Sequence, residues 1–174
     1  MVVDISNSIG TKGLIHSYDP YMSTPQNFID FIKLNGKTNY RSTLWVDFKN
    51  FKYKYFIVFF SEKGSGGQIQ AWGLCDRDIS IEKSQRIKKK NDSGDPFLDI
   101  DCGFPGDKNS LYKRIFHYRT IELFRKPHNC TEFNLIKTGQ PITKTDITKG
   151  ILRNVLYVEI PLNIMGEIKR ALSK

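Results

Sequence analysis

The chain has 174 residues, with 27 Lys and Arg against 18 Asp and Glu, which gives a formal net charge of +9 and a pI near 9.4. This length suits a single domain, residues 1–174, that buries its own core without disulfides or a structural metal. The charge disfavours basic partners and favours polyanions, either nucleic acid or an anionic membrane surface. No apolar run approaches the ~20 residues that cross a bilayer, and the start lacks the regions of a signal peptide, so we expect a soluble, cytoplasmic protein without a membrane partner.

The cysteines and histidines give little sign of a metal or a disulfide. Cys75, Cys102 and Cys130 are odd in number, and none forms a Cys-x-x-Cys pair, so neither a disulfide framework nor a zinc ribbon is indicated. His128 and Cys130 would supply only two ligands of a metal ion. We therefore expect no metal and no cofactor.

The first part of the chain predicts an irregular segment followed by a helix. Gly10, Gly13 and Pro20 lie in a stretch with little periodicity, which predicts an irregular arm or a short strand. Thr24 and the proline after it are typical of a helix start, apolar residues follow at helical spacing, and Gly36 is a stop signal.

Three strand-like segments follow this helix. They are Thr43–Lys49, Tyr53–Phe60 and Gln68–Leu74, and we expect them to be consecutive antiparallel strands. The middle segment is apolar on both faces, as a central strand would be. The glycine cluster Gly64–Gly67 lacks the Gly-Lys-Ser/Thr ending of a phosphate loop and is followed by no helical pattern, so a hairpin turn is the favoured interpretation.

Two tryptophans occupy the polar faces of the first and third of these strands. Trp45 lies among Thr, Asp and Lys residues, and Trp72 lies between glutamines. Such a mixed face suggests a surface that binds a partner. On a reader of flipped or single-stranded bases the two rings would stack on a base, whereas on an ordinary barrel they pack beneath a helix, which is the expected role.

The rest of the chain predicts a basic loop, further strands and a closing helix. Lys83–Lys90 is the basic loop, and Pro161 opens the final helix, whose apolar positions are Leu162, Met165, Ile168 and Leu172. The further strands are Phe97–Cys102, Tyr112–Phe124, Thr131–Ile136 and Ile151–Ile160. The predicted fold is thus α+β, with seven mostly antiparallel strands curled into a closed or half-open barrel and two flanking helices.

Catalytic constellations are mostly missing. Asp99 and Asp101 share one face of a predicted strand and could hold a metal, but no Glu/Asp-x-Lys element follows on a strand, so a solvated polar face is expected. His16, His117 and His128 occupy no recognisable nucleophile motif. A domain without catalysis is predicted, and a metal-dependent nuclease using the two aspartates remains the alternative.

Basic residues interleaved with Asn and Tyr are the predicted nucleic-acid contacts. Lysines neutralise phosphates, and the forked donors of Asn and Arg suit adenine and guanine edges in the major groove of duplex DNA. The predicted DNA-binding residues are Lys37, Asn39, Tyr40, Arg41, Arg86, Lys88, Lys89, Lys90, Lys108, Asn109, Lys113, Arg114 and Arg119.

The strand sequences Leu44–Phe48, Tyr55–Phe60 and Ala71–Leu74, with the helices and basic loops around them, resemble a known family. They are similar to N-terminal DNA-recognition domains of modification-dependent and McrBC-related (LlaJI-type) restriction systems of bacterial defence. The resemblance implies a B3-like or PUA-like pseudobarrel that binds duplex DNA with two loop arms. It also implies a separate nuclease driven by a nucleotide-hydrolysing partner, and raises the expectation that 1–174 is one domain of a longer subunit. A base-flipping reader of modified DNA is the alternative within this class.

Overall fold

A computed structural model describes residues 5–18, 33, 41–43, 50–62, 64–81, 115–150 and 156–174. Within these ranges the strands are β1 (Ile9–Tyr18), β2 (Arg41–Thr43), β3 (Tyr55–Glu62), β4 (Gln68–Asp76), β5 (Ile115–Asn129), β6 (Asn134–Leu135) and β7 (Leu156–Glu159). The described helices include α1 (Lys144–Gly150) and α2 (Leu162–Leu172), and short 3-10 helices cover Ile5–Ser8 and Cys130–Glu132. A helical turn at 77–81 follows β4 directly.

The strands form one mixed sheet with a short extension. Six strands lie in the order β5-β4-β3-β1-β7-β6, and β2 pairs only with the start of β5. All neighbours are antiparallel except β1 and β3, which are parallel. The α+β, mostly antiparallel class predicted from the sequence is confirmed. The predicted seven strands are wrong for the main sheet, which has six in the described part of the chain.

The core lies on both faces of the sheet because its central strands are apolar on both sides. In β3, Tyr55, Ile57 and Phe59 pack into one buried cluster, while Phe56 and Val58 pack into a second. Helix α2 and the turn around Cys130 cover the first cluster. The prediction that this segment is a central strand is confirmed.

The first segment was predicted as an arm or short strand, but β1 is a ten-residue strand between β3 and β7. Its glycines, which suggested irregularity, permit close approach: a Cβ at Gly13 would lie 2.8 Å from the Ile57 carbonyl oxygen. The register of β1 against β3 also shifts between Ile9 and Gly13. Glycine at such a position marks a bulge or a close backbone contact within a strand rather than its end.

The hairpin prediction at Gly64–Gly67 is confirmed. Gly64, Gly66 and Gly67 have positive φ angles of 87°, 73° and 81°, and the turn joins antiparallel β3 and β4. The expected pairing of the segment beginning at Thr43 with β3 is wrong. Because β3 pairs with β1 on its other edge, it has no edge left for the segment beginning at Thr43. Thr43 instead ends β2, opposite Ile115 of β5.

The C-terminal part follows the sequence pattern with two corrections. Helix α2 starts after Pro161 as expected. Leu162 was predicted as one of its apolar positions, but Leu162 is 89% exposed and Ile164 is buried instead. The predicted strand over Thr131–Ile136 is mostly the 3-10 helix Cys130–Glu132, followed by the two-residue β6.

Helix α1 was not predicted from the sequence. Its N-terminus is capped reciprocally by Thr143 and Asp146: the Asp146 N–H donates to the Thr143 hydroxyl at 3.2 Å, and the Thr143 N–H donates to the Asp146 carboxylate at 2.8 Å. This Thr-x-x-Asp arrangement is a capping-box pattern that is visible in the sequence.

Two predictions of regular structure lie mainly outside the described residues. They are the helix beginning at Thr24, of which Lys33 alone is described and is helical, and the strand Phe97–Cys102. Among the described residues, no helix is long and apolar enough to cross a membrane.

Candidate nucleic-acid interface

One row of paired residues crosses five strands at the same end of the sheet. Ile9 of β1 is opposite Tyr55 of β3, Tyr55 is opposite Asp76 of β4, and the adjacent Cys75 is opposite Tyr118 of β5. One position further along β5, His117 is opposite Arg41 of β2. The start of β1, β3 and β5 and the end of β4 therefore lie together.

This end is also where the predicted basic loops attach. The described chain leaves the sheet through the helical turn at 77–81 and re-enters it at Ile115, so the segment between them begins and ends here. The prediction of a loop over residues 37–42 is wrong for Arg41 and Ser42, which belong to β2, and Arg41 lies on the same row. The attachment points of both predicted arms are therefore neighbours, although they are far apart in sequence.

Most predicted contact residues fall outside the described residues. Arg41 and Arg119 are described, Arg41 by its backbone position in β2 and Arg119 with its side chain. The others that lie outside are Lys37, Asn39, Tyr40, Arg86, Lys88, Lys89, Lys90, Lys108, Asn109, Lys113 and Arg114. Asp99 and Asp101, the aspartates of the alternative nuclease, also lie outside.

Arg119 is held by an ion pair and by an aromatic ring. The β4–β5 register shifts here, since Leu74 pairs with Thr120 but the next residue, Cys75, pairs with Tyr118, which leaves Arg119 as the extra residue of a bulge. Its Nε lies 3.6 Å from an Asp76 carboxylate oxygen, and its guanidinium carbon lies 5.1 Å from the centre of the Tyr55 ring. Bulges commonly redirect a side chain.

The buried Asp76 holds Arg119 in this position. It is 2% exposed, and its other carboxylate oxygen accepts the Ile79 N–H at 3.1 Å, which caps the helical turn. The backbone carbonyl of Asp76 accepts a hydrogen bond from the Ser80 hydroxyl. A buried carboxylate needs such partners, so Asp76 couples the position of Arg119 to the turn from which the basic segment departs. The Arg119 side chain remains 46% exposed and can reach a ligand.

A pocket of about 240 Å³ opens beside Tyr55. Aromatic and polar side chains both line it, and the chain contributes a run in which aromatic residues alternate with lysines over residues 51–55. The lining residues are Gly10, Thr11, Lys12, Asn50, Phe51, Lys52, Tyr53, Tyr55 and Phe56.

Tyr53 is the exposed ring of this pocket. It is 53% exposed, whereas Phe51 and Tyr55 are buried at 3% and 4%. A Cβ at Gly10 would lie 2.6 to 3.3 Å from three atoms of the Tyr53 ring, so the ring rests directly on the β1 backbone. Only glycine leaves room for this contact.

The surroundings of the pocket are basic. Lys12, Lys52 and Lys54 are exposed, and the Lys54 ammonium lies 5.5 Å from the centre of the Tyr55 ring. Neither Lys12 nor Lys52 forms an ion pair in the described part of the chain, even though Glu159 is opposite Lys12 in the β1–β7 ladder. A lysine without a carboxylate partner is available to neutralise a phosphate.

The other end of the sheet contains a charged cluster of a different kind. The His128 Nε2 lies 2.9 Å from a Glu167 oxygen of α2, and its Nδ1 lies 3.4 Å from Glu132. The contact with Glu167 joins β5 to α2. No group of described residues has the geometry of a metal site. Cys130, which with His128 would supply two ligands of a metal ion, is a buried thiol, and desolvation raises its pKa.

Trp72 is not part of a binding face. It is 2% exposed and packs in the cluster that contains Phe59, so the expectation of core packing is confirmed and the expectation of a polar, partner-binding face at this residue is wrong. The reason is that both faces of β4 are covered from Ala71 onward. Trp45 lies outside the described residues.

Tyr53 and Lys52 were not among the predicted site residues. Tyr53 was predicted only as the start of a strand, although Phe51-Lys52-Tyr53-Lys54-Tyr55 alternates aromatic and basic side chains. That alternation is typical of surfaces that bind single-stranded nucleic acid. The part played by Gly10 depends on a contact between distant residues and has no local signal.

Searches against protein-family models, curated proteins and solved structures found no match to this chain.

Proposed function

We propose that the chain is a sequence-specific double-stranded DNA-binding module of a bacterial restriction system, without catalysis of its own. Two polar-basic arms, residues 37–42 leading into β2 and the segment between 82 and 114, would grip the duplex. The net charge of +9 supports a polyanionic partner. Cleavage would belong to a nuclease or nucleotide-hydrolysing partner subunit.

The observation that carries this proposal is the row of paired residues from Ile9 to Arg41. It gathers the attachment points of both arms, together with Arg119, at one end of a rigid sheet. Loops held side by side on a rigid scaffold are the common way to build a recognition surface. The phosphate-contacting and base-reading residues can then act on one duplex at the same time.

The finer fold proposed with this function is a B3-like or PUA-like pseudobarrel. A mostly antiparallel sheet with both faces buried supports it, as does a helix packed on one of the two core clusters. Such a curled sheet presents loops at its ends, which suits the placement of the two arms.

A selection from a random-sequence duplex pool, in modified and unmodified versions, tests the proposal. A preferred site should emerge, and the logarithm of the binding constant should fall with the logarithm of salt concentration by about 0.9 for each phosphate neutralised. Salt-independent binding, or no binding to any duplex, would refute the proposal.

Two sets of variants then separate reading from positioning. Arg41→Ala or Asn39→Ala should cost about 1–3 kcal/mol on the preferred site and little on unrelated DNA, because base-edge contacts are lost. The triple change of Lys88, Lys89 and Lys90 to Ala should weaken binding to all sequences and flatten the salt dependence. If Arg41→Ala weakens specific and nonspecific binding equally, residues 37–42 are not a reading arm.

A further inference from the structure

The pocket beside Tyr55 has the size and the lining of a site for a single ring system. Its volume of about 240 Å³ is below the ~300–1,000 Å³ usual for drug-sized ligands, so it suits a small planar group. Four aromatic residues line it, and the exposed one, Tyr53, has its ring fixed on the Gly10 backbone. A ring that is already held in place loses little conformational entropy when a ligand stacks on it.

The polar groups around the pocket match a nucleotide better than a purely apolar ligand. Lys12 and Lys52 line the pocket itself and are exposed, so their ammonium groups can neutralise phosphate while a ring occupies the interior. Thr11 adds an exposed hydroxyl, which can donate to and accept from the edge of a base. Arg119 and Lys54, both close to the Tyr55 ring, add positive potential behind the aromatic wall.

We propose that this pocket binds one unstacked nucleobase, with Tyr53 as the stacking platform and Lys12 and Lys52 on the adjoining phosphates. The inference rests on the proposed function for the class of ligand, nucleic acid, and adds a site that none of the predicted loop residues includes. The base comes from a single strand or is flipped out of a duplex; the chemistry of stacking is the same in both cases.

The test measures the affinity of the full chain for three labelled DNAs by fluorescence anisotropy: a single strand, a paired duplex, and the same duplex with one mismatch. Tyr53→Ala should weaken binding to the single strand, the mismatched duplex or both by about 5- to 150-fold, which corresponds to ~1–3 kcal/mol for stacking one base. Tyr53→Phe, which keeps the ring, should stay close to the wild-type affinity.

A matched control for the charge comes from the other end of the sheet. Lys126, an exposed lysine near the far end of β5, is the control for Lys52: Lys52→Ala should reduce affinity and salt dependence more than Lys126→Ala.

The outcomes separate the source of the base. Tighter binding of the mismatched duplex than of the paired one, lost in Tyr53→Ala, identifies a flipped base, since a mismatched base is the least costly to extrude. A Tyr53 effect limited to the single strand identifies an unpaired strand as the ligand. Tyr53→Ala binding within twofold of wild type on all three DNAs overturns the inference.

The same data keep the two proposals apart. Wild-type binding to duplex without any Tyr53 dependence leaves the DNA-binding function standing and removes the pocket. If the chain binds single strands in a Tyr53-dependent way but binds no duplex, the pocket stands and the proposed duplex-binding function is refuted. A wild-type chain that binds none of the three DNAs overturns both.

A second measurement uses the wild-type chain and so does not depend on the folding of a variant. DNA carrying 5-iodouracil is irradiated in the complex, and the cross-linked peptide is identified by mass spectrometry. We expect attachment within residues 50–55, at Tyr53 or its aromatic neighbours. Cross-links that occur only elsewhere in the chain overturn the inference.

Discussion

Removing the Arg119 side chain tests whether the bulge in β5 stabilises this end of the sheet. Arg119→Ala leaves the Asp76 carboxylate, 2% exposed, without its cation at 3.6 Å. Breaking a fully buried ion pair costs about 3–5 kcal/mol, but here the arginine is 46% exposed and Asp76 keeps the hydrogen bond from Ile79, so the lower end applies. Loss of the contact with the Tyr55 ring adds about 0.5–1 kcal/mol.

The exposure of Arg119 reduces the cost of breaking the ion pair to about 1.5–3 kcal/mol, so with the ring contact the expected decrease in the free energy of unfolding is about 2–4 kcal/mol. Urea unfolding followed by circular dichroism measures it. Arg125→Ala is the matched control, because Arg125 is an exposed arginine on the same strand with no ion pair in the described structure, and its effect should stay within about 0.5 kcal/mol.

A double-mutant cycle completes the test. If the ion pair is the source of the effect, Asp76→Asn should make the further change of Arg119 to Ala less costly, with a coupling of about 1–2 kcal/mol. Asn keeps an oxygen that can accept the Ile79 N–H, so the helical turn should persist. Additive effects, or a loss below 0.5 kcal/mol for Arg119→Ala alone, would refute the structural role. Arg119 would then remain only as a predicted DNA contact.

Three further outcomes follow from other parts of the fold. Trp72→Ala should destabilise the protein by about 3–5 kcal/mol in urea unfolding because it empties a buried site, whereas a role in base stacking would leave stability unchanged. Burial lowers the pKa of His16 from 6.5 to about 4, so between these pH values the unfolded chain binds more protons than the folded chain. The free energy of unfolding should therefore fall as the pH decreases from 6.5 to 4. Unfolding measured at several pH values should show a flatter pH dependence for His16→Gln. Glu167→Gln should lower the melting temperature, because it weakens a charge-assisted contact with His128, and an unchanged melting temperature would contradict this.

The sequence predicts those features of the fold that depend on local pattern. The apolar run in Tyr53–Phe60, the glycines of the Gly64–Gly67 turn and the apolar spacing after Pro161 are each visible in neighbouring residues, and the structure contains all of these elements. The pairing of β1 with β3 is different, because it joins residues about 45 positions apart, as in Ile9 opposite Tyr55. No local signal encodes that neighbour.

The alternation rule also fails where the ladder is irregular. Simple alternation places Ile69 and Ala71 on one face, yet Ile69 packs with Trp72 in one cluster and Ala71 packs in the other. The β4–β5 register shifts between these two residues. A change in register moves side chains between faces, so the face of Trp72 could not be read from the pattern of its neighbours.

The candidate site was partly predictable for the same physical reason. Basic and aromatic residues in the 51–55 run are visible in the sequence, but the site requires Gly10 to approach Tyr53 and Asp76 to reach Arg119, both through strand pairing. Each of these contacts also occurs at an irregularity: β1 shifts register after Ile9, and β5 bulges at Arg119.

The two irregularities flank Tyr55 from opposite sides, since β3 lies next to β1 and β4 leads on to β5. Tyr55 is buried, so its ring is held in place. Tyr53 and Arg119 lie near it and are exposed. Bulges are retained in sheets chiefly where they redirect side chains toward a site. A regular ladder at either place would change the direction of these side chains, and this is the physical reason for proposing a recognition surface at this end of the sheet.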